Sequence, residues 1–208
     1  KAARRLNLSM LMQSWQWDMQ VLGKHFEKSV GRPAVFIVPS CQEVAKLIGR
    51  PAAGLAISQT NAVVVAANSN VSRVGHHELV HLFVDRSWNR TVVPLLQEGI
   101  AVWLNHELRG EPLNHRAAYA ARGGQARLKD LFNPKRFFAK DRIHDSYAIA
   151  GSFTGFLIDR FGWQAYRKLY CLTRRSNSYG GFAKLFKRTF RFELKHVERD
   201  WLISVVRS

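Results

Sequence analysis

Residues 71–85 read Val-Ser-Arg-Val-Gly-His-His-Glu-Leu-Val-His-Leu-Phe-Val-Asp. Val74, Leu79, Val80, Leu82, Phe83 and Val84 make a helix over this stretch apolar on nearly every side. Such a helix belongs in a core, and a core helix must satisfy every charge it carries. His77 and His81 are four residues apart, so their imidazoles share one helical face. That spacing lets both bind one tetrahedral ion. Glu78 is rotated by about 100° from His77. It is therefore placed to take a proton from a metal-activated water rather than to bind the metal. The expectation is one Zn2+ ion held by His77 and His81, with Glu78 as general base. The bland alternative is a set of hydrogen-bonded polar groups in a core.

A zinc site needs a third protein ligand. A Gly and a third His shortly after the motif would supply one, but Val84 and Ser87 stand at those positions. Beyond Asp85 the next carboxylate is Glu98, in Pro94-Leu-Leu-Gln-Glu-Gly-Ile-Ala-Val-Trp-Leu104. Pro94 suits the first turn of a helix. Glu98 is the single charge of that helix, and Gly99 beside it permits a close backbone approach. Residues 87–93 are long enough to turn the chain back, so Glu98 is the expected third ligand. Its bland reading is a helix residue salt-bridged to an arginine. His76 points about 100° away from His77 and reads as a neighbour. His106 reads as surface or cleft rim.

The surrounding pattern is α+β. Leu8, Leu11, Met12, Trp15, Met19, Leu22 and Phe26 recur at helical spacing and predict a helix over 6–29, ended by Gly31 and Pro33. Residues 34–38 predict a strand. Ser40 with Glu43 predicts a capping box opening a helix over 41–48. The apolar runs 55–58 and 62–66, joined by Gln59, Thr60 and Asn61, predict a hairpin. Further helices are expected near 71–86, 94–106, 145–161, 163–172 and 193–205. Residues 107–144, rich in Gly, Arg and Pro, have weak periodicity and read as the best candidate for a mobile connection that could hold short helices. The expected organisation is a single domain over 1–208, with a sheet-containing part at 1–90 and a helical part at 91–208.

Lys and Arg number 32 against 15 Asp and Glu, a formal charge of +17. The resulting positive field suits nucleic acid, anionic lipid surfaces or acidic polymers without choosing among them. The basic residues are dispersed, with no arginine-rich block. Cys41 and Cys171 form no Cys-x-x-Cys pair, which excludes a cysteine zinc site and leaves one disulfide or two thiols open. The uncharged stretch from Pro51 to Ser72 contains Gln59, Asn61, Asn68 and Asn70, so no spanning helix is expected. The chain begins with Lys1, which leaves room for an upstream segment. The compartment stays open, with a secreted, periplasmic or surface-anchored place slightly favoured over the cytoplasm.

His77-Glu-Leu-Val-His81 followed by Leu96-Gln-Glu-Gly-Ile-Ala101 resembles the gluzincin metallopeptidases, and more narrowly the compact peptidase MA-like domains. The likeness continues through Ser146-Tyr-Ala-Ile-Ala-Gly-Ser-Phe-Thr-Gly-Phe-Leu-Ile-Asp-Arg-Phe-Gly162 to Glu198-Arg-Asp-Trp201, and covers most of the chain. It implies a zincin-like fold, peptide hydrolysis, His77, His81 and Glu98 as ligands, and Glu78 as base; a small catalytic domain with no obvious blocking domain suggests an endopeptidase. It also implies an oxyanion-stabilising tyrosine at Tyr147, with His144 in reserve. Some gluzincins carry an Asp four residues after the glutamate ligand. That position is Val102 here, which leaves Asp85 as the guess for orienting a histidine. An extended substrate could add to the edge strand at 54–58. The competing reading is a basic polyanion-binding protein with a structural or vestigial zinc site, against which the intact Glu78 argues.

Overall fold

The computed structural model describes residues 6–50, 52–105, 107–108, 111–124, 127–173 and 178–207. It is α+β: a small mixed sheet and many helices, in two compact units, residues 1–87 and 88–208.

In the first unit, α1 (Leu8–His25) starts where the Asn7 side chain accepts a hydrogen bond from the Met10 N–H at 3.1 Å. It ends short of residue 29. Phe26 turns extended there, and its ring stacks on Phe83 with centroids 5.7 Å apart. β1 (Ala34–Val38) pairs in parallel with β3 (Ala62–Ala66), and β2 (Gly54–Ile57) pairs antiparallel with β3. The strand order is β1-β3-β2. Every residue of β3 is buried, as a central strand of Ala and Val demands. β1 is an edge, with the Phe36 side chain 56% exposed. Asn61, at φ 50°, makes the turn into β3, and its amide donates to the Val30 carbonyl at 2.7 Å.

α2 (Cys41–Ile48) sets Val44 against Val64 and Ala66 of the sheet. The expected capping box does not form. Ser40 stands at the N-cap but makes no side-chain capping bond, and Glu43 pairs with Lys46 at 2.8 Å. The Asn68 side chain takes over, accepting from the Cys41 N–H at 3.1 Å. A cap from a distant residue removes the need for the local one.

α3 (Val71–Trp88) carries the His-Glu-x-x-His motif. Trp15 of α1 crosses it at Gly75, where a Cβ would lie 2.4 Å from the indole nitrogen. Ser14 and Ser72 hydrogen-bond alongside at 3.1 Å.

The second unit is mainly helical. α4 (Pro94–Leu104) has Pro94 in its first turn and is buried along almost its whole length. After it come the two-residue strands β4 (Glu107–Leu108) and β5 (Glu111–Pro112), which pair antiparallel. Residues 111–137 hold α5 (Leu113–Arg122), α6 (Leu128–Leu131) and α7 (Pro134–Phe137), so much of the expected connection is helical. α8 (Ile143–Phe161) packs closely on α4. A Cβ at Gly99 would stand 2.7 Å from the Ala150 carbonyl oxygen, and one at Gly151 would stand 2.6 Å from Val102. α9 (Trp163–Leu172), α10 (Tyr179–Phe190) and α11 (Leu194–Arg207) complete the unit. α10 was not expected. It buries Phe182, Phe186 and Phe190, one turn apart. The burial supplies what a Gly-Gly opening lacks in helix propensity.

Neither Cys41 nor Cys171 is in a disulfide among the described residues. No helix among the described residues is long and apolar enough to cross a membrane.

Candidate metal centre

The apolar residues around the motif hold α3 in the core: Leu79, Val80, Leu82, Phe83 and Val84 are each at most 2% exposed. The helix therefore fixes its polar side chains as well. His77 Nε2 and His81 Nε2 are 3.2 Å apart, with ring planes at 83° to one another. Two imidazole nitrogens at that distance must share either one proton or one cation. A tetrahedral ion with bonds of about 2.0–2.1 Å sets its ligand atoms roughly 3.3–3.4 Å apart. The histidine pair thus has the spacing of one edge of such a site.

Glu98 lies one turn into α4 and is 5% exposed. Ligand atoms of His77, His81 and Glu98 all lie within 4.8 Å of one another, and the three form a group that could hold a metal ion. Two imidazoles and a carboxylate are a borderline nitrogen and oxygen donor set, which suits zinc.

Glu78 is 8% exposed and stands apart from that group. Its neighbour is β2: a Cβ on Gly54 would come within 2.8 Å of Glu78 Oε1. Glycine is needed here because the backbone and the carboxylate share one space. Reading the sequence alone placed Gly54 at a sheet edge but could not show that the edge begins beside the base.

Other residues fall in varied places. His76 is not in the group; its Nδ1 pairs with Asp18 at 3.0 Å, tying α3 to α1. Asp85 accepts a 2.5 Å hydrogen bond from Ser58, joining α3 to the end of β2. His106 lies outside the described residues. The Tyr147 ring packs against Phe137 at 5.4 Å and Phe138 at 6.5 Å. His144 is half-buried in the first turn of the same helix.

Two contacts hold α4 within its unit. Gly99 meets the α8 backbone at Ala150, as its position beside Glu98 hinted. Tyr166 of α9, fully buried, donates to the Leu96 carbonyl at 3.3 Å. Burial pushes its phenol far above the usual range, so it stays a donor at every physiological pH. Thr154 contacts the same hydroxyl at 3.2 Å. These bonds fix the turn of α4 that presents Glu98. Only the spacing between residues 96 and 166 hid them, since a tyrosine in an amphipathic helix carries no mark of its partner.

No protein-family profile, curated protein or solved structure matches this chain.

Proposed function

We propose that this chain is a zinc-dependent endopeptidase of the gluzincin type on a zincin-like fold, with His77, His81 and Glu98 as metal ligands and Glu78 as general base. One observation carries the reading. Two imidazole nitrogens 3.2 Å apart and a buried carboxylate form a single group of donor atoms within 4.8 Å.

When bound, zinc supplies the Lewis acidity that makes water a nucleophile near neutral pH. Glu78 accepts the proton of the attacking water on its carboxylate and returns it to the nitrogen of the leaving amine. Tyr147 donates its hydroxyl hydrogen to the oxyanion that develops on the scissile carbonyl. His144 is the reserve for that role. β2 is a sheet edge, and its first residue abuts Glu78. An extended peptide adding to that edge would run its backbone past the base.

Glu78→Gln tests the reading. The variant should bind zinc in the same stoichiometry as the parent. Cleavage of a peptide library should fall by roughly 10²–10⁴-fold. Undiminished cleavage would remove the assignment. Tyr147→Phe should lower kcat by about 10²-fold with little change in KM. An unchanged kcat would move the oxyanion role to His144.

A further inference from the structure

The second unit holds a cavity of about 460 Å³ that includes none of the four residues assigned above. Its walls come from α4, α5, α8 and α11. Gly155 of α8 has no side chain, and the Trp103 indole occupies the space, with Cδ1 2.8 Å from where a Cβ would be. The ring thus lies along α8 and becomes one wall, with half-buried Phe156 on the same stretch of helix.

The floor is polar and ordered. Trp201 Nε1 donates to Ser152 Oγ at 3.0 Å, and Ser152 Oγ donates to Asn114 Oδ1 at 2.8 Å. Trp201 is fully buried and Ser152 is 4% exposed. This chain sets the Asn114 amide orientation and leaves its NH₂ directed elsewhere.

Ser204 also lines the cavity, its hydroxyl donating to the Trp201 carbonyl at 2.7 Å, and Asp159 is exposed on the same face of α8 as Ser152 and Gly155. It is the one charged side chain lining the cavity among the described residues. No hydrogen bond or ion pair engages it among those residues. The adjacent Arg160 pairs with Asp200 at 2.8 Å and lies over the rings of Phe156, Phe161 and Phe192.

We propose that this cavity binds a small organic monocation, a protonated amine on an apolar body. The body lies between Trp103 and Phe156, and the ammonium donates to Asp159. The Trp103 face attracts a cation as well as apolar surface, so that wall and the rim favour the same ligand. The chain's overall positive charge does not prevent this, because charges beyond about 8 Å are largely screened at physiological salt.

The test is a titration of the full chain with 2-phenylethylammonium, followed by calorimetry and by the indole N–H resonance of Trp103. Saturable one-to-one binding that shifts that resonance is expected. The isosteric 2-phenylethanol and the anionic 3-phenylpropanoate should bind at least about tenfold more weakly, as should 2-phenylethylammonium to Asp159→Asn. Trp103→Leu should weaken binding several-fold if folded by circular dichroism, and Asp159→Asn, being exposed, carries the test otherwise. Equal binding of the alcohol, unaltered affinity in Asp159→Asn, or no saturation would each overturn the assignment.

Discussion

α3 and α4 both bring a buried polar side chain to the candidate metal centre, and both use a glycine to let a neighbour come close. The neighbours differ in kind. At Gly75 the visitor is a side chain, the Trp15 indole. At Gly99 it is backbone, the Ala150 carbonyl, together with the Thr154 hydroxyl. An indole can rotate or shift, whereas a carbonyl within a 19-residue helix moves only if the helix moves. The first contact is adjustable and the second is fixed by the main chain. Glu98 is therefore more rigidly supported within its own unit than His77 and His81 are by α1.

The most severe test of this contrast is Gly99→Ala. Overpacking against backbone should cost about 1–3 kcal/mol even after the gain in helix propensity, seen as a lower denaturation midpoint. Thr154→Ser or Thr154→Ala should not restore it, because the Ala150 carbonyl remains. Full rescue by either would show that the side chain was the obstacle and erase the difference between the helices. Gly75→Ala should cost less, under about 2 kcal/mol, and Trp15→Leu should recover much of the loss in a double-mutant cycle. Additive losses there would mean that α3 is as rigidly held as α4.

The smallest effect concerns pH and separates the second unit from the first. Glu198 of α11 accepts from the Leu128 N–H at 3.0 Å and contacts Tyr179. Burial raises its pKa despite those bonds. Its proton is thus held more tightly in the folded state than in the unfolded one. This contribution to stability is fully present below the unfolded value, and is lost as pH rises through the folded value. Burial, with the nearby Glu198 charge, also pushes the Tyr179 phenol up to about 12. Glu198→Gln keeps an acceptor for Leu128 and should flatten the stability profile in the weakly acidic range, a change under about 1 kcal/mol. A variant with an unaltered profile would place the pH dependence elsewhere.

Much of this architecture was readable from local pattern. Residues 34–38 and 62–66 are strands because alternating turn residues bound short β-branched runs. The motif helix, the Pro94 start and the interior Glu98 followed from helical spacing. What was not readable depends on distant partners. Ser40 and Glu43 have a good local signature, but Asn68 wins the Cys41 N–H from 27 positions away. Gly75 looks like a weakness in a helix until Trp15 is placed upon it. α10 opens with Ser178-Tyr-Gly-Gly, a loop signature, and its helix depends on burying three phenylalanines. Asp85 accepts from Ser58, 27 positions away, a contact that no local pattern marks.

Among the described residues, the outer strand β1 leaves one row of main-chain groups without a neighbouring strand and shows the face of Phe36 to water. Such an edge invites another copy to lie down beside it. The +17 charge resists that encounter only while it is felt across the solvent. Concentrated solutions of this protein should therefore stay clear in dilute buffer and cloud as salt is added, the reverse of ordinary salting-in.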